Sequence, residues 1–477
     1  MKVVLAFLAN TLCNFAIGLL VAKFLGPEEF GRFALALAIG AALQTLLFEW
    51  IRLSAVRFYS QRSRTERPDL RPTLDFAFLV FAAGVALAAA IALFAGASFP
   101  LPSALIGLAV AASIANGLFD FTTALARARF DDGLYGRLVL TKNFAALLLT
   151  AGGALIFHSA AMALTGVAAS MAGSIALFWR SLAEDRPRGV RPSAAVAREC
   201  AAYAAPIVVG NLLIYALLPL FNRALMARWH GYAETGQFSL ANDIGTRMVL
   251  SISSSLDVLL FQLAVRADDQ HGGHHGRDQI ARNMGVIFAI VLPACAGVWL
   301  TLPSIERLVV PEEFRGPFLA YFSLLLPGQF AFGMFAFAVV PHFLIAKKTL
   351  PMILAAALAC LADVALIRFL PPEPHSIALA QTGAMIVGLS VLTVNAAFTG
   401  ARFPPARDIA AAIAGGVAMV AALLPLRGAT PGAPLLAAQV VLGVAVYGAF
   451  VAVLDTAGLR GVALDVARSL RARLAQA

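Results

Sequence analysis

Long apolar stretches, separated by short polar links, follow one another along almost the whole chain. Each is roughly 18–23 residues long, the length at which an α-helix crosses the hydrocarbon of a bilayer. The pattern predicts spans at about 3–25, 33–55, 75–96, 103–124, 138–158, 161–180, 201–222, 237–260, 283–303, 318–341, 350–370, 376–397, 408–426 and 435–455. The ten-residue alternation of an outer-membrane barrel is missing. The expected fold class is therefore all-α: a polytopic membrane protein with about 14 transmembrane helices. The opening MKVVLAFLAN resembles a signal peptide, but the apolar run continues to about Leu25 with no small-x-small cleavage site. It is read as an uncleaved first span.

The polar links alternate in charge. Those at 57–71, 126–129, 180–191 and 347–348 are basic, as is the tail at 468–473. The links between them, at 98–103, 157–160 and 371–374, are short and nearly free of Lys and Arg. Roughly three-quarters of the 36 basic residues fall on one side. The positive-inside rule then predicts that both termini are cytoplasmic, which needs an even number of spans. Arg far outnumbers Lys and Ala is abundant, the codon signature of a GC-rich bacterial genome. No link exceeds about 20 residues, which leaves no room for a soluble domain.

Composition agrees. Sixty per cent of the residues are hydrophobic and 13% charged, against about 25% charged in soluble chains; mean hydropathy is +0.84. The net charge of +10 is explained by basic cytoplasmic links rather than by nucleic acid. The four cysteines are widely separated, with no metal-ligand spacing, and read as small hydrophobes.

One junction is written twice. GPEEFGRFALALAIG at 26–40 and GYAETGQFSLANDIG at 231–245 share eight of fifteen positions: the pairs Gly26/Gly231, Glu29/Glu234, Gly31/Gly236, Phe33/Phe238, Leu35/Leu240, Ala36/Ala241, Ile39/Ile244 and Gly40/Gly245. The first copy links spans 1 and 2, the second spans 7 and 8. Six intervening spans preserve orientation, so this is a parallel repeat about the membrane normal. It predicts two pseudo-symmetric six-helix bundles, 1–199 and 200–405, followed by a hairpin and basic tail at 406–477. Gly26 and Gly231 are expected to end one helix, and Gly31 and Gly236 to open the next at close backbone approach.

These junctions, together with NRALMAR at 222–228, resemble the Wzx-type oligosaccharide flippases of the multidrug/oligosaccharidyl-lipid/polysaccharide exporter superfamily. The resemblance extends over nearly the whole chain. It implies a protein without covalent catalysis that moves a polyprenyl-diphosphate-linked oligosaccharide from the inner to the outer leaflet of the bacterial cytoplasmic (inner) membrane by alternating access, for surface polysaccharide (O-antigen, exopolysaccharide or capsule) biosynthesis. Its implied partners are that lipid-linked sugar, membrane lipids, and the polysaccharide polymerase and chain-length machinery. Lipid II flippases of the same superfamily also have fourteen spans.

Charged side chains inside spans are costly and normally face a cavity or a partner. In span 8, Ser239, Asp243, Arg247, Ser251 and Ser254 recur at helical spacing on one face. Arg247 offers planar, bidentate donors suited to phosphate; the alternative is a local ion pair with Asp243. Span 7 carries Asn211, Tyr215 and Asn222 on one stripe, with amides and a hydroxyl suited to sugars. Arg223 beside them either lines the cavity or snorkels to headgroups. Asn10, Asn14 and Lys23 in span 1 and Arg52 in span 2 complete the expected cavity. Glu49 either pairs with Arg52 or, unpaired, binds a coupling ion; Asp120, Asp257 and Asp363 are further carboxylates, of which Asp120 and Asp363 are ion-coupling candidates.

Other chemistry is weaker. HGGHH at 271–275 reads as a solvated glycine-rich loop, so no metal site is expected. There is no phosphate-binding GxxxxGK[ST] loop and no nucleophile–base pair; no cofactor is expected. A multidrug/cation antiporter would carry an acid in span 1, where Asn10 and Asn14 stand instead. A membrane sugar polymerase would need a long external loop, and the longest, at about 304–317, is short.

Overall fold

The computed structural model describes residues 2–60, 66–97, 99–183 and 190–460, with side chains described except at 2–12, 254, 255, 257–259 and 271. The basic tail at 468–473 lies outside the described residues. The helices are α1 (Lys2–Leu47), α2 (Glu49–Phe58), α3 (Leu70–Phe94), α4 (Ser103–Ala128), α5 (Asp132–Ala146), α6 (Gly152–Phe157), α7 (Ala160–Leu177) and α8 (Ala194–Asn211). They continue as α9 (Leu218–His271), α10 (Gly273–Val309), α11 (Pro317–Gly333), α12 (Val340–Ile345), α13 (Leu350–Phe369), α14 (Pro374–Phe398), α15 (Ala406–Leu423) and α16 (Ala433–Leu454). A single helical turn, Trp179–Leu182, lies between α7 and α8.

Among the described residues, twelve continuous helical segments are long and apolar enough to cross a membrane. Two of these segments are broken. In α1, Gly26 has φ 68° and ψ 173°, and in α9, Gly231 has φ 88° and ψ 174°. That backbone region is open essentially to glycine alone. Counting each broken segment as two recovers the fourteen predicted spans. Helices suit this environment because each satisfies its own backbone polar groups where no water can.

The sequence contains no mark of three further irregularities. Wide π-turns interrupt the helical spiral at Leu147–Ala151, Leu212–Leu217 and Met334–Val339. They join α5 to α6, α8 to α9 and α11 to α12.

The chain divides into two compact units, Met1–Leu240 and Ala241–Ala477. The core of the first is aromatic: Phe48 from the α1–α2 break, Phe78 from α3 and Phe121 from α4. The Phe48 and Phe78 rings are 4.8 Å apart, and Phe78 stacks on Phe121 at 6.2 Å. By contrast, only 6% of the apolar stretch of α3 is buried, and Phe76, Leu79 and Leu87 are exposed. This is the face that hydrocarbon covers.

Both copies of the repeated junction lie in this unit through Leu240. Pro27, after the break, starts the second segment of α1. Glu29 accepts a hydrogen bond from the Ala160 N–H at 2.8 Å. It thereby caps α7, whose own Ser159 makes no side-chain cap. Glu29 is also paired with Arg32, and Arg32 lies 5.0 Å from the centre of the Tyr232 ring. The Tyr232 hydroxyl donates to the Pro100 carbonyl. Gly31 and Gly236 meet backbone to backbone, where a Cβ on Gly31 would stand 2.9 Å from the Gly236 nitrogen.

In the second unit, α13 and α14 pack as a hairpin across the 371–374 link, as expected. Leu300 of α10 packs with Met419 and Leu423 of α15. The Tyr447 hydroxyl of α16 donates to the Ala289 carbonyl at 2.5 Å, so the last two helices are fastened to α10. Glu306 accepts from the Gly316 and Leu319 N–H groups at 2.8 and 3.1 Å, capping α11. HGGHH is not the loop expected. Gly272 alone makes the turn (φ 84°), and α10 is helical from Gly273. The His271 side chain lies outside the described residues, while His274 Nδ1 is 3.1 Å from the Arg402 guanidinium.

Candidate functional site

In the first unit, charged side chains from three helices and two amides from a fourth converge inside the spans. Glu49 opens α2 and is 7% exposed. Arg52, one turn later, holds it with two parallel hydrogen bonds, one of them Nε to Oε2 at 2.9 Å. The i, i+3 spacing on a helix brings the two together. Glu49 is therefore a paired carboxylate, the first of the two alternatives that its spacing from Arg52 offers.

Asp120 on α4 accepts a hydrogen bond from Gln44 Nε2 of α1 at 3.2 Å. It lies within electrostatic reach of Arg52, Glu49 and Lys142. Lys142 of α5 donates to Asn14 Oδ1 of α1 at 3.3 Å. Two cations and two anions thus balance, with the amides of Asn14 and Gln44 between them. Such an arrangement lowers the cost of holding ions away from water.

Sequence reasoning missed Lys142. The available signal was a basic residue with Asn143 inside the apolar run at 138–158, the kind of intramembrane charge that marks a functional group.

Of the other span 1 candidates, Lys23 does not join this cluster. Lys23 is exposed and makes no hydrogen bond or ion pair among the described residues. Asn10 lies on α1, but its side chain is outside the described residues.

On the segment from α8 into α9, the expected single stripe is not formed. Asn211 is half-buried, Tyr215 is 45% exposed and Asn222 is fully buried. The π-turn Leu212–Leu217 lies between them, and its extra residue per turn shifts the helical register. Arg223 is 7% exposed and faces a carbonyl 3.5 Å away, that of Ala34. This buried setting replaces the snorkelling alternative.

In the second unit, Asp243, Arg247 and Ser251 are half-buried and share one face of α9 by their four-residue spacing. Ser251 Oγ donates to the Arg247 carbonyl at 2.7 Å, so its proton is used within the helix. The Ser254 and Asp257 side chains lie outside the described residues.

A neighbouring face of α9 carries a network that sequence reasoning passed over. Asn242 Oδ1 accepts from Gln329 Nε2 of α11 at 3.0 Å and from Gln381 Nε2 of α14 at 2.7 Å. Thr246 Oγ1 donates to Gln329 Oε1 at 3.2 Å. Asn242, Gln329 and Gln381 are each about 5% exposed. Asp363 of α13, 1% exposed, is buried in this unit. Among the described residues, no group of three His, Cys, Asp or Glu side chains is placed to hold a metal ion.

Residues 20–314 match the model of a family described as polysaccharide biosynthesis protein. No curated protein matches the chain significantly. Among solved structures, the fold is similar to the lipid II flippase MurJ in an inward closed conformation. The TM-score is 0.72 at 14% identity, covering 94% of this chain and 98% of that one. It is also similar to an inward-facing multidrug resistance transporter of the MATE family and MOP superfamily. There the TM-score is 0.64 at 12% identity, covering 82% of this chain and 94% of that one. An outward-facing transporter of that family gives 0.54 at 12% identity, over 84% and 93%.

Proposed function

The chain belongs to the polysaccharide biosynthesis protein family, and from that premise we propose that it is a flippase for a polyprenyl-diphosphate-linked oligosaccharide. It moves the sugar-bearing headgroup from the cytoplasmic to the periplasmic leaflet of a bacterial inner membrane, in which both of its termini are cytoplasmic. The barrier to this movement is the cost of carrying a charged, polar head through hydrocarbon. Side chains inside the spans lower that barrier by replacing water. Arg247 and Arg223 offer guanidinium donors to the diphosphate, and Asn211, Tyr215 and Asn222 offer hydrogen bonds to sugar hydroxyls. The two halves related by the repeat alternate the opening of the path, while the polyprenyl tail stays in lipid.

The family match over residues 20–314 carries this reading. The cluster formed by Glu49, Arg52, Asp120 and Lys142 supports it, because charges held within spans are rare outside transport paths. Asp120 and Asp363 remain the carboxylates proposed for ion coupling. A surface polysaccharide pathway is the proposed destination of the product, with its polymerase and chain-length machinery as partners.

The test uses a deletion strain complemented with the wild type or Arg247→Ala, and an impermeant probe that reports lipid-linked oligosaccharide in the outer leaflet. Inner-leaflet accumulation cleared by the wild type alone supports both the flippase and the role of Arg247. Clearance by both proteins removes Arg247 from the site. An unchanged leaflet distribution with raised sensitivity to cationic compounds replaces the flippase by an antiporter. Accumulation of lipid II instead replaces the substrate.

A further inference from the structure

The first unit has a groove of about 530 Å³ between α2, α3 and the start of α8, a size within the ~300–1,000 Å³ range of ligand sites. Trp50, Phe76, Val80 and Phe81 form its apolar wall. Trp50 and Phe81 meet edge to face at 5.9 Å. Thr73 and Ser193 form the polar end, where the Ser193 N–H donates to Thr73 Oγ1 at 2.9 Å. The groove therefore grades from polar to apolar along α3. From Thr73 to Phe81 it follows the helix for about 12 Å at 1.5 Å per residue.

Its surroundings define the occupant. The groove opens beside the exposed apolar face of α3, which meets hydrocarbon rather than water. Arg198 is the charged residue of the lining. It is exposed and makes no hydrogen bond or ion pair among the described residues. The adjacent Glu199 does not neutralise it, because Arg67 already holds that carboxylate at 2.6 and 3.1 Å. Thr73 also donates to the Asp69 carbonyl at 2.7 Å, so its hydroxyl is engaged on both sides.

We infer that this groove binds a membrane phospholipid with an anionic headgroup, one acyl chain lying against Trp50, Phe76, Val80 and Phe81 and the phosphate on Arg198. Among the described lining residues Arg198 is the single cation, which matches one phosphate rather than the two of a sugar-bearing diphosphate. Glu49, Arg52, Asp120 and Lys142 are not among the lining residues, and the assignment does not depend on the flippase reading.

Native mass spectrometry of the full chain, purified in mild detergent, tests the assignment with added phosphatidylglycerol or phosphatidylcholine. The wild type is expected to retain one tightly held lipid and to prefer phosphatidylglycerol about fivefold, the effect of one basic side chain on an anionic lipid. Arg198→Gln is expected to abolish the preference while leaving a lipid bound. Val80→Trp, which fills the groove from an exposed position, is expected to lose the tightly held lipid of either kind. Both residues are exposed, and unchanged elution on gel filtration verifies folding. Equal retention of the two lipids by the wild type, or a preference that survives Arg198→Gln, overturns the headgroup assignment. Full retention in Val80→Trp overturns the groove. Displacement of phosphatidylglycerol by an equimolar polyprenyl phosphate overturns the phospholipid in favour of the carrier.

Discussion

Gly31 and Gly236 occupy each other's side-chain space. A Cβ on Gly31 would stand 2.9 Å from the Gly236 nitrogen, and one on Gly236 would stand 3.1 Å from the Gly31 nitrogen. Each would also collide with a backbone carbonyl, that of Tyr232 or of Pro27. Backbone cannot swing aside as the end of a long side chain can. The repeat therefore places two matching glycines at one crossing, 205 positions apart in the chain.

Gly31→Ala and Gly236→Ala are each expected to destabilise the first unit by at least ~1–3 kcal/mol, the range for overpacking a close contact. The double variant should be worse than either alone. Thermal unfolding in detergent measures this, and midpoints within a degree of the wild type would contradict the crossing.

Glu29→Ala removes the acceptor that caps α7 at Ala160 as well as the partner of Arg32. The expected cost is about 1 kcal/mol, typical of a lost helix cap. Glu29→Gln keeps an acceptor oxygen and should recover most of it. Hydrogen exchange confined to the first turn of α7 is the readout; uniform protection in both variants would argue that the cap contributes nothing.

For the Glu49–Arg52 pair, Arg52→Met leaves a nearly buried carboxylate without its guanidinium. Removing one partner of a fully buried pair costs about 3–5 kcal/mol. The Arg52 side chain is 34% exposed, so solvent screening makes the expected cost smaller, ~2 kcal/mol. The double variant Glu49→Gln/Arg52→Met should regain stability over Arg52→Met. Denaturation of the wild type, of Glu49→Gln and Arg52→Met singly, and of the double variant closes the cycle, and strict additivity would refute the coupling.

Asn242→Leu strands the buried amide donors of Gln329 and Gln381. The expected loss is ~1–3 kcal/mol for each donor left unsatisfied, whereas Asn242→Asp keeps an acceptor for both. A melt in which Leu and Asp variants behave alike would show that the network does not hold α9 to α11 and α14.

The spans were legible because a helix in lipid must be apolar along its whole length. The repeat was legible because its glycines serve backbone geometry that no other residue can supply. The polar clusters were legible only in part. Helical spacing relates Glu49 to Arg52, three positions apart, but gives no view of Lys142 beside Asn14 or of Gln381 beside Asn242. Those contacts join different helices, and their partners are set by packing. The stripe expected through Asn211, Tyr215 and Asn222 failed for another reason: a π-turn is a defect of register with no compositional signature.

That defect has a consequence for editing the gene. A π-turn accommodates one residue beyond the ordinary helical count, and each residue of an α-helix turns the chain by about 100°. Deleting a codon within 212–217 can therefore be absorbed by relaxation to a regular α-helix at nearly unchanged length. Asn211 and Asn222 would then keep nearly their present angle about the helix axis, whereas the same deletion in a regular stretch of the span would turn one side by about 100° relative to the other. The turns at Leu147–Ala151 and Met334–Val339 share this property, so a one-residue length polymorphism at any of the three is expected to leave the facing of the flanking side chains intact and the span long enough to cross.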